Sequence, residues 1–249
     1  MHKLKYLPFY LFSYLPFWML YALSNLGFFV LYRLVKYRRE VVRNNLINAF
    51  PNHDLQTIIK TEKAFYRHFC DVSLESLKAI SLPAKRLQKR FKFKNIELLH
   101  DLQKEGQNCI LYTGHIGNWE WFSVLPLSVK QKVSTFYQTL SNGYYDQLMQ
   151  NIRSRFGIMC IESQKGYKTI LQLKAQNTLT INLMIGDQSP RKSAVKHWTT
   201  FFGQETAFLI GAEKIAKKSD QALVYPHIKN KTWALRSRVC THYQNPKRS

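Results

Sequence analysis

Acidic side chains are scarce in this sequence. Fifteen Asp plus Glu stand against 37 Lys plus Arg in 249 residues, a formal charge of +22. Such an imbalance calls for an anionic partner, and both nucleic acid and an anionic lipid surface meet that description by composition. Cysteine is also sparse. Cys70, Cys109, Cys160 and Cys240 lie far apart with no CxxC or CxxH spacing, which excludes a zinc signature and suits reduced, mostly buried thiols in the cytoplasm. No metal site is indicated. There is no G-x-S-x-G elbow and no cysteine in a glycine-rich turn, which argues against a serine or cysteine hydrolase. Internal repeats and low-complexity linkers are missing too, so a chain of this length is expected to form one α/β domain with an appendage.

Charge of either sign is absent from Leu7 to Tyr32, "LPFYLFSYLPFWMLYALSNLGFFVLY", a stretch longer than the roughly 20 residues a helix needs to cross a bilayer. Its composition predicts an N-terminal membrane helix and decides the anionic partner in favour of lipid. Pro8 and Pro16 count against a straight helix, leaving a kinked span and a hairpin-like dip into one leaflet both open. A cleaved signal peptide fits less well, because the run ends in "FFVLY" and not in small residues. Lys3 and Lys5 precede the run and Arg33, Lys36, Arg38, Arg39 and Arg43 follow it, a bias that puts the body of the protein on the cytoplasmic side. The expected division is residues 1–37 as anchor and 38–249 as catalytic domain.

In "RREVVRNNLINA", residues 38–49, Val41, Val42, Leu46 and Ile47 recur at helical spacing before Pro51. The pattern fits either an amphipathic basic helix on the membrane surface or one packed on the domain. From Leu55 to Ile80 a longer helix places Ile58, Ile59, Phe65, Phe69, Val72 and Leu77 on one face and is expected to be a core helix. After Pro83, strand-like runs at 91–93, 108–113, 133–137, 158–161, 179–185 and 222–228 alternate with helical candidates. These lie at "IELLHDLQKEG" and near 143–155, 166–176 and 207–218. The alternation predicts an α/β fold, a mixed, mostly parallel sheet flanked by helices. Ligand sites of such sheets gather at the carboxyl ends of strands, and "GHIGNWE" and "GDQSP" begin just past two of those ends.

His115, between Gly114 and Gly117, is followed by Asn118 at a turn and by Glu120 in the first turn of the next helix. On a continuous helix, residues five apart diverge by about 140°, so a His115–Glu120 pair requires the bend that the glycines permit. A carboxylate on one imidazole nitrogen would leave the other free to take a proton from a hydroxyl. Spacing alone equally allows a structural histidine beside a capping glutamate.

"GHIGNWE" nevertheless resembles the HxxxxE motif of the bacterial lipid A late acyltransferases, the lauroyl and myristoyl transferases within the wider HxxxxD/E glycerolipid acyltransferases. "RREVVRNNLINAFP", "LSNGYYDQLMQNIRSRFG", "GDQSP", "FFGQETA" and "ALVYPHI" are similar to further blocks of that family, in order, with wording nearest to Bacteroidetes-type members. The resemblance implies transfer of a fatty acyl chain from an acyl carrier protein thioester to a hydroxyl of a lipid A precursor, in lipopolysaccharide biosynthesis. The enzyme would work at the cytoplasmic face of the inner membrane with no cofactor beyond the thioester co-substrate. His115 would be the general base and Glu120 its orienting partner. Asn118, Arg153, Arg155, Asp187 and Gln188 would contact substrate, the arginines by gripping a lipid phosphate. Expected partners are acyl carrier protein, the lipid A precursor and anionic membrane lipids, and not nucleic acid.

From about Lys231, "KTWALRSRVCTHYQNPKRS" departs from the family's closing strands and reads as a truncated or altered C-terminus. Two rival functions stand beside the first. One is an acyltransferase acting on another lipid, such as a lysophospholipid or an amino-lipid; the other is a membrane-anchored basic protein that binds anions without catalysis.

Overall fold

The computed structural model describes the backbone of residues 6–190, 195–231 and 234–244, and side chains through residue 226. Lys3, Lys5, residues 191–194, 232–233 and 245–249, and Cys240 as a side chain lie outside the described residues. The chain forms two compact units, residues 1–81 with 189–208, and residues 82–188 with 209–249.

The first unit opens with helices α1 (Leu7–Tyr14) and α2 (Phe17–Phe29), the latter continued by a π-helical turn over Val30–Leu34. Between them Leu15 is extended (φ −54°, ψ 139°), as expected of a residue pushed out of the helical region by the proline that follows. Phe17–Leu34 is long and apolar enough to cross a bilayer. Helices α3 (Arg39–Ala49) and α4 (Leu55–Leu77) follow, and a 3₁₀ turn closes the run at Lys78–Ile80. α4 begins where the Asp54 carboxylate accepts the Thr57 N–H at 2.9 Å, satisfying one of the four free amides of its first turn. Its buried stripe is Ile58, Glu62, Tyr66 and Cys70, at four-residue intervals. Phe65 and Phe69, expected in the core, are exposed instead. The apolar count misjudged this face because a charged residue occupies it. Glu62 is fully buried, and its charge is met by Arg43 (Nε 2.7 Å, Nη2 3.0 Å) and by Arg39 at 3.4 Å from α3. The bases of α3 thus turn inward to α4, while Val41 and Ile47 are exposed.

The second unit contains α5 (Ala84–Arg90), β1 (Lys92–Lys94), α6 (Glu97–Lys104), β2 (Cys109–Thr113), a 3₁₀ helix (Trp119–Leu127) and β3 (Lys132–Tyr137). It continues through α7 (Gly143–Ser154), β4 (Met159–Glu162), α8 (Gly166–Ala175) and β5 (Thr180–Ile185). The chain then supplies the first unit with a hairpin, β6 (Trp198–Phe201) and β7 (Gln204–Ala207). It returns as α9 (Gly211–Ser219), β8 (Ala222–Lys231) and β9 (Ala234–Gln244). Sheet order is β1-β9-β8-β2-β5-β3-β4. β8, β2, β5, β3 and β4 are mutually parallel, β9 runs antiparallel to β8, and β1 is parallel to β9. The expected mixed, mostly parallel sheet flanked by helices is the one found. β9, antiparallel to β8, lies beyond the runs read as strands from the sequence.

β2 and β5 occupy the buried middle of the sheet, as their near-continuous apolar sequences require. A polar chain crosses this core. Asn182 accepts from Ser134 Oγ at 2.7 Å and donates to Gln221 Oε1 at 2.8 Å and to Thr180 Oγ1 at 3.1 Å, so its amide is satisfied inside the sheet. Asn108, just before β2, accepts both the N–H (2.7 Å) and the hydroxyl (2.9 Å) of Thr180 at the start of β5. These bonds help pin the β2–β5 register, in which Thr113 pairs with Ile185.

Candidate active site

The register of β2 and β5 creates the site. Both strands end at the Thr113–Ile185 pair and both continue into a glycine, Gly114 and Gly186, so two loops leave the sheet side by side. The next residue of one loop is His115 and of the other Asp187. Glycine is required at both turns by close approach: a Cβ on Gly114 would lie 2.8 Å from Asp187 Oδ2, and one on Gly186 would lie 2.5 Å from the Tyr112 ring. Tyr112 in turn donates its hydroxyl to the Gly186 carbonyl at 2.9 Å, and the Gly186 N–H reaches the Thr113 carbonyl at 3.0 Å.

Asp187 grips His115 twice. Oδ1 lies 2.5 Å from His115 Nδ1, and Oδ2 accepts the His115 backbone N–H at 2.7 Å. A carboxylate only accepts, so the contact places a proton on Nδ1, and in the neutral ring the lone pair is then on Nε2. Gln188 stands next to that lone pair, its Nε2 3.4 Å away, and Trp119 meets the imidazole edge-on with ring centroids 4.8 Å apart. The His115 side chain keeps 31% of its surface in solvent and Asp187 44%, so both are reachable by a substrate.

Glu120 is not the partner of His115. The segment after Gly117 (φ 59°) enters the 3₁₀ helix Trp119–Leu127 and turns Glu120 into the interior, where it is 7% exposed. There it holds Arg153 of α7 in a two-pronged pair, Nε to Oε2 at 2.9 Å and Nη2 to Oε1 at 2.5 Å. Burial works against the Arg153 charge, but the Glu120 hydrogen bonds outweigh it and hold the guanidinium pKa above its ordinary value. The nearby Cys160 thiol is pushed up by burial, against the lowering pull of Arg153, and is no nucleophile at neutral pH. Asn118 is fully buried at the head of the 3₁₀ helix. Arg155 donates to the Leu82 carbonyl at 2.8 Å and lies over the Phe156 ring at 4.7 Å.

The structure therefore brings His115, Asp187 and Gln188 together, pairs Glu120 with Arg153, and sets Arg155 against the scaffold. What spacing missed was that Asp187, 72 residues later in the chain, is the carboxylate on His115. A signal for it was present: strand, glycine, then His in one place and strand, glycine, then Asp in another. Among the described residues no group of three His, Cys, Asp or Glu side chains is placed to hold a metal ion.

The family model for bacterial lipid A biosynthesis acyltransferases matches residues 9–236. The chain belongs to that family. Its match takes in the anchor-like helices, the two glycine loops and every residue of the constellation just described. A lipid A biosynthesis acyltransferase of Haemophilus influenzae (strain ATCC 51907 / DSM 11121 / KW20 / Rd) is 26% identical over 206 residues, which cover 82% of this chain and 62% of that relative. The chain thus aligns to less than two thirds of that family member's length.

Proposed function

We propose that this protein transfers a fatty acyl chain from an acyl carrier protein thioester to a hydroxyl of a lipid A precursor, at the cytoplasmic face of the inner membrane. The observation that carries the reading is His115 with its Nδ1 proton held by Asp187 and its Nε2 lone pair facing solvent, in a chain of the lipid A acyltransferase family.

In this mechanism the acceptor hydroxyl displaces Gln188 from Nε2. His115 takes the hydroxyl proton as the oxygen attacks the thioester carbonyl carbon; general-base help of this kind contributes about 10²- to 10⁴-fold. Asp187 stabilises the imidazolium that forms and keeps the ring from rotating. When the tetrahedral intermediate collapses, the C–S bond breaks and His115 returns the proton to the departing carrier thiolate. No covalent acyl-enzyme and no bound cofactor enter the scheme. Arg153 and Glu120 form a pair of no net charge, so Arg153 would act through the N–H donors that Glu120 leaves free, on the oxyanion or on an acceptor phosphate. The apolar N-terminal helices and the +22 charge support work at an anionic membrane surface.

The test is transfer from a set of acyl carrier protein thioesters to tetraacylated lipid A precursor in detergent. His115→Ala is expected to lower turnover by about 10²-fold or more without changing the folded state. Unchanged turnover would exclude His115 as base, and transfer to lysophospholipid but not to the precursor would move the enzyme to another acceptor.

A further inference from the structure

We propose that the N-terminal apolar segment lies in one leaflet of the membrane, with both of its ends on the cytoplasmic side, and does not cross. The inference rests on reading that segment as a membrane anchor and is independent of the acyl-transfer chemistry.

By length alone α2 with its π turn would span: 18 residues rise about 27 Å, against a hydrocarbon core of about 30 Å. What opposes crossing is α4. It runs antiparallel beside α2 along the whole of that length, as four contacts in succession establish. The Tyr32 and Tyr66 rings lie 5.4 Å apart, a Cβ placed on Gly27 would stand 3.8 Å from Cys70 Sγ, Ser24 Oγ donates to Asp71 at 2.5 Å, and the Tyr21 hydroxyl donates to Glu75 at 2.6 Å. Beyond the far end, the buried Lys78 ammonium donates to the Ser13 carbonyl at 2.8 Å and to the Leu15 carbonyl, capping the break at Pro16.

A crossing α2 would carry α4 with it, placing Glu62, Arg67, Asp71 and Glu75 at membrane depth. Charged residues at the centre of a bilayer are costly on insertion scales, and Asp71 and Glu75 are held to α2 by its hydroxyls, so they would travel with it. Lying flat avoids the expense. α4, whose Lys60, Arg67 and His68 are exposed, then sits toward water. Leu11, Phe12, Trp18, Leu26 and Phe29, all exposed on α1 and α2, enter the acyl region. The charge pattern agrees. Lys3 and Lys5 precede the segment and Arg33, Lys36 and Arg38 follow it, so the bias toward the cytoplasm applies at both ends.

The decisive measurement is cysteine labelling of the full chain in sealed membrane vesicles. His2→Cys and, separately, Lys130→Cys in the body are treated with a membrane-impermeant maleimide in right-side-out and in inverted preparations. Wild type supplies the background from its own cysteines. Both positions are expected to label at least about tenfold better in inverted vesicles, with the protein retained through alkaline carbonate washing. Labelling of the two positions from opposite faces would overturn the proposal and establish a span. Release into the carbonate supernatant would overturn it differently, showing the apolar face to be covered by protein and the membrane reading itself to be wrong.

Discussion

Replacing Asp187 by Asn tests the arrangement around His115 most directly. The side chain keeps its shape but retains one acceptor oxygen where two N–H groups, the His115 amide and Nδ1–H, now each have one. Its amide nitrogen must then face a donor, which favours the tautomer with the proton on Nε2, where it cannot act as base. The charge is lost as well. Imidazolium and carboxylate centres about 4 Å apart attract by about 4 kcal/mol at an effective dielectric of 20. Because both side chains are close to a third or more in solvent, about half of that is expected to survive, on the order of 2 kcal/mol in the transition state. The charge loss alone should lower turnover about 30-fold, and the unfavourable tautomer should take it further, toward about 10²-fold, with little change in KM for the thioester. The assay is single-turnover acyl transfer, paired with ¹⁵N chemical shifts of the His115 ring, which report the tautomer without reference to activity. Glu120→Gln is the comparison. It should leave the His115 tautomer untouched and act through Arg153. If Asp187→Asn is active within about twofold while Glu120→Gln shifts the His115 tautomer, the reasoning is refuted.

Gly114→Ala should displace Asp187, since the added methyl would stand 2.8 Å from Oδ2 and 3.0 Å from Cγ; loss of activity with a thermal midpoint within a few degrees of wild type is expected. Glu62, whose carboxyl is held below the usual range by Arg43, Tyr32 and Arg39 against the opposing effect of burial, contributes stability that is present above its unfolded pKa of about 4.3 and is lost as pH falls through its folded value. Thermal unfolding across pH 3–7 should show that loss in wild type. It should flatten in Glu62→Gln, which at neutral pH costs on the order of 1–3 kcal/mol because two partly exposed arginines are left unpaired. Cys109, pushed up to about 12 by burial in β2, should resist a thiol reagent at pH 8 until the sheet unfolds, which timed labelling with and without denaturant will show. Phe202→Asn should raise the thermal midpoint by a few degrees. The hairpin turn Phe202–Gly203 holds both residues at positive φ, 48° and 70°, a geometry that Asn tolerates and a bulky aromatic resists.

The alternation of strands and helices after residue 90 was legible because each element carries its own pattern. "NCILYT" and "TLTINLMI" are apolar runs of strand length, and "IELLHDLQKEG" ends at a glycine that does take a left-handed φ of 67°. The stripe on α4 was misread because hydrophobicity says nothing of a glutamate whose charge is neutralised from another helix: Glu62 went inside and Phe65 and Phe69 stayed out. At the site, His115, Asp187 and Gln188 were each singled out by sequence, yet their pairing was not.

Local chemistry, then, was written in the chain itself: an apolar segment broken before a proline, a parallel α/β order, and two glycine loops bearing a histidine and an acid. Those depend on nearest neighbours and periodicity, which a sequence records. Which carboxylate meets His115 depends on strand register across 72 residues, and which arginines meet Glu62 depends on how one helix lies on another. Such distances arise only when the core closes, so the tertiary structure alone decided that Asp187 holds the imidazole and that Glu120 holds Arg153.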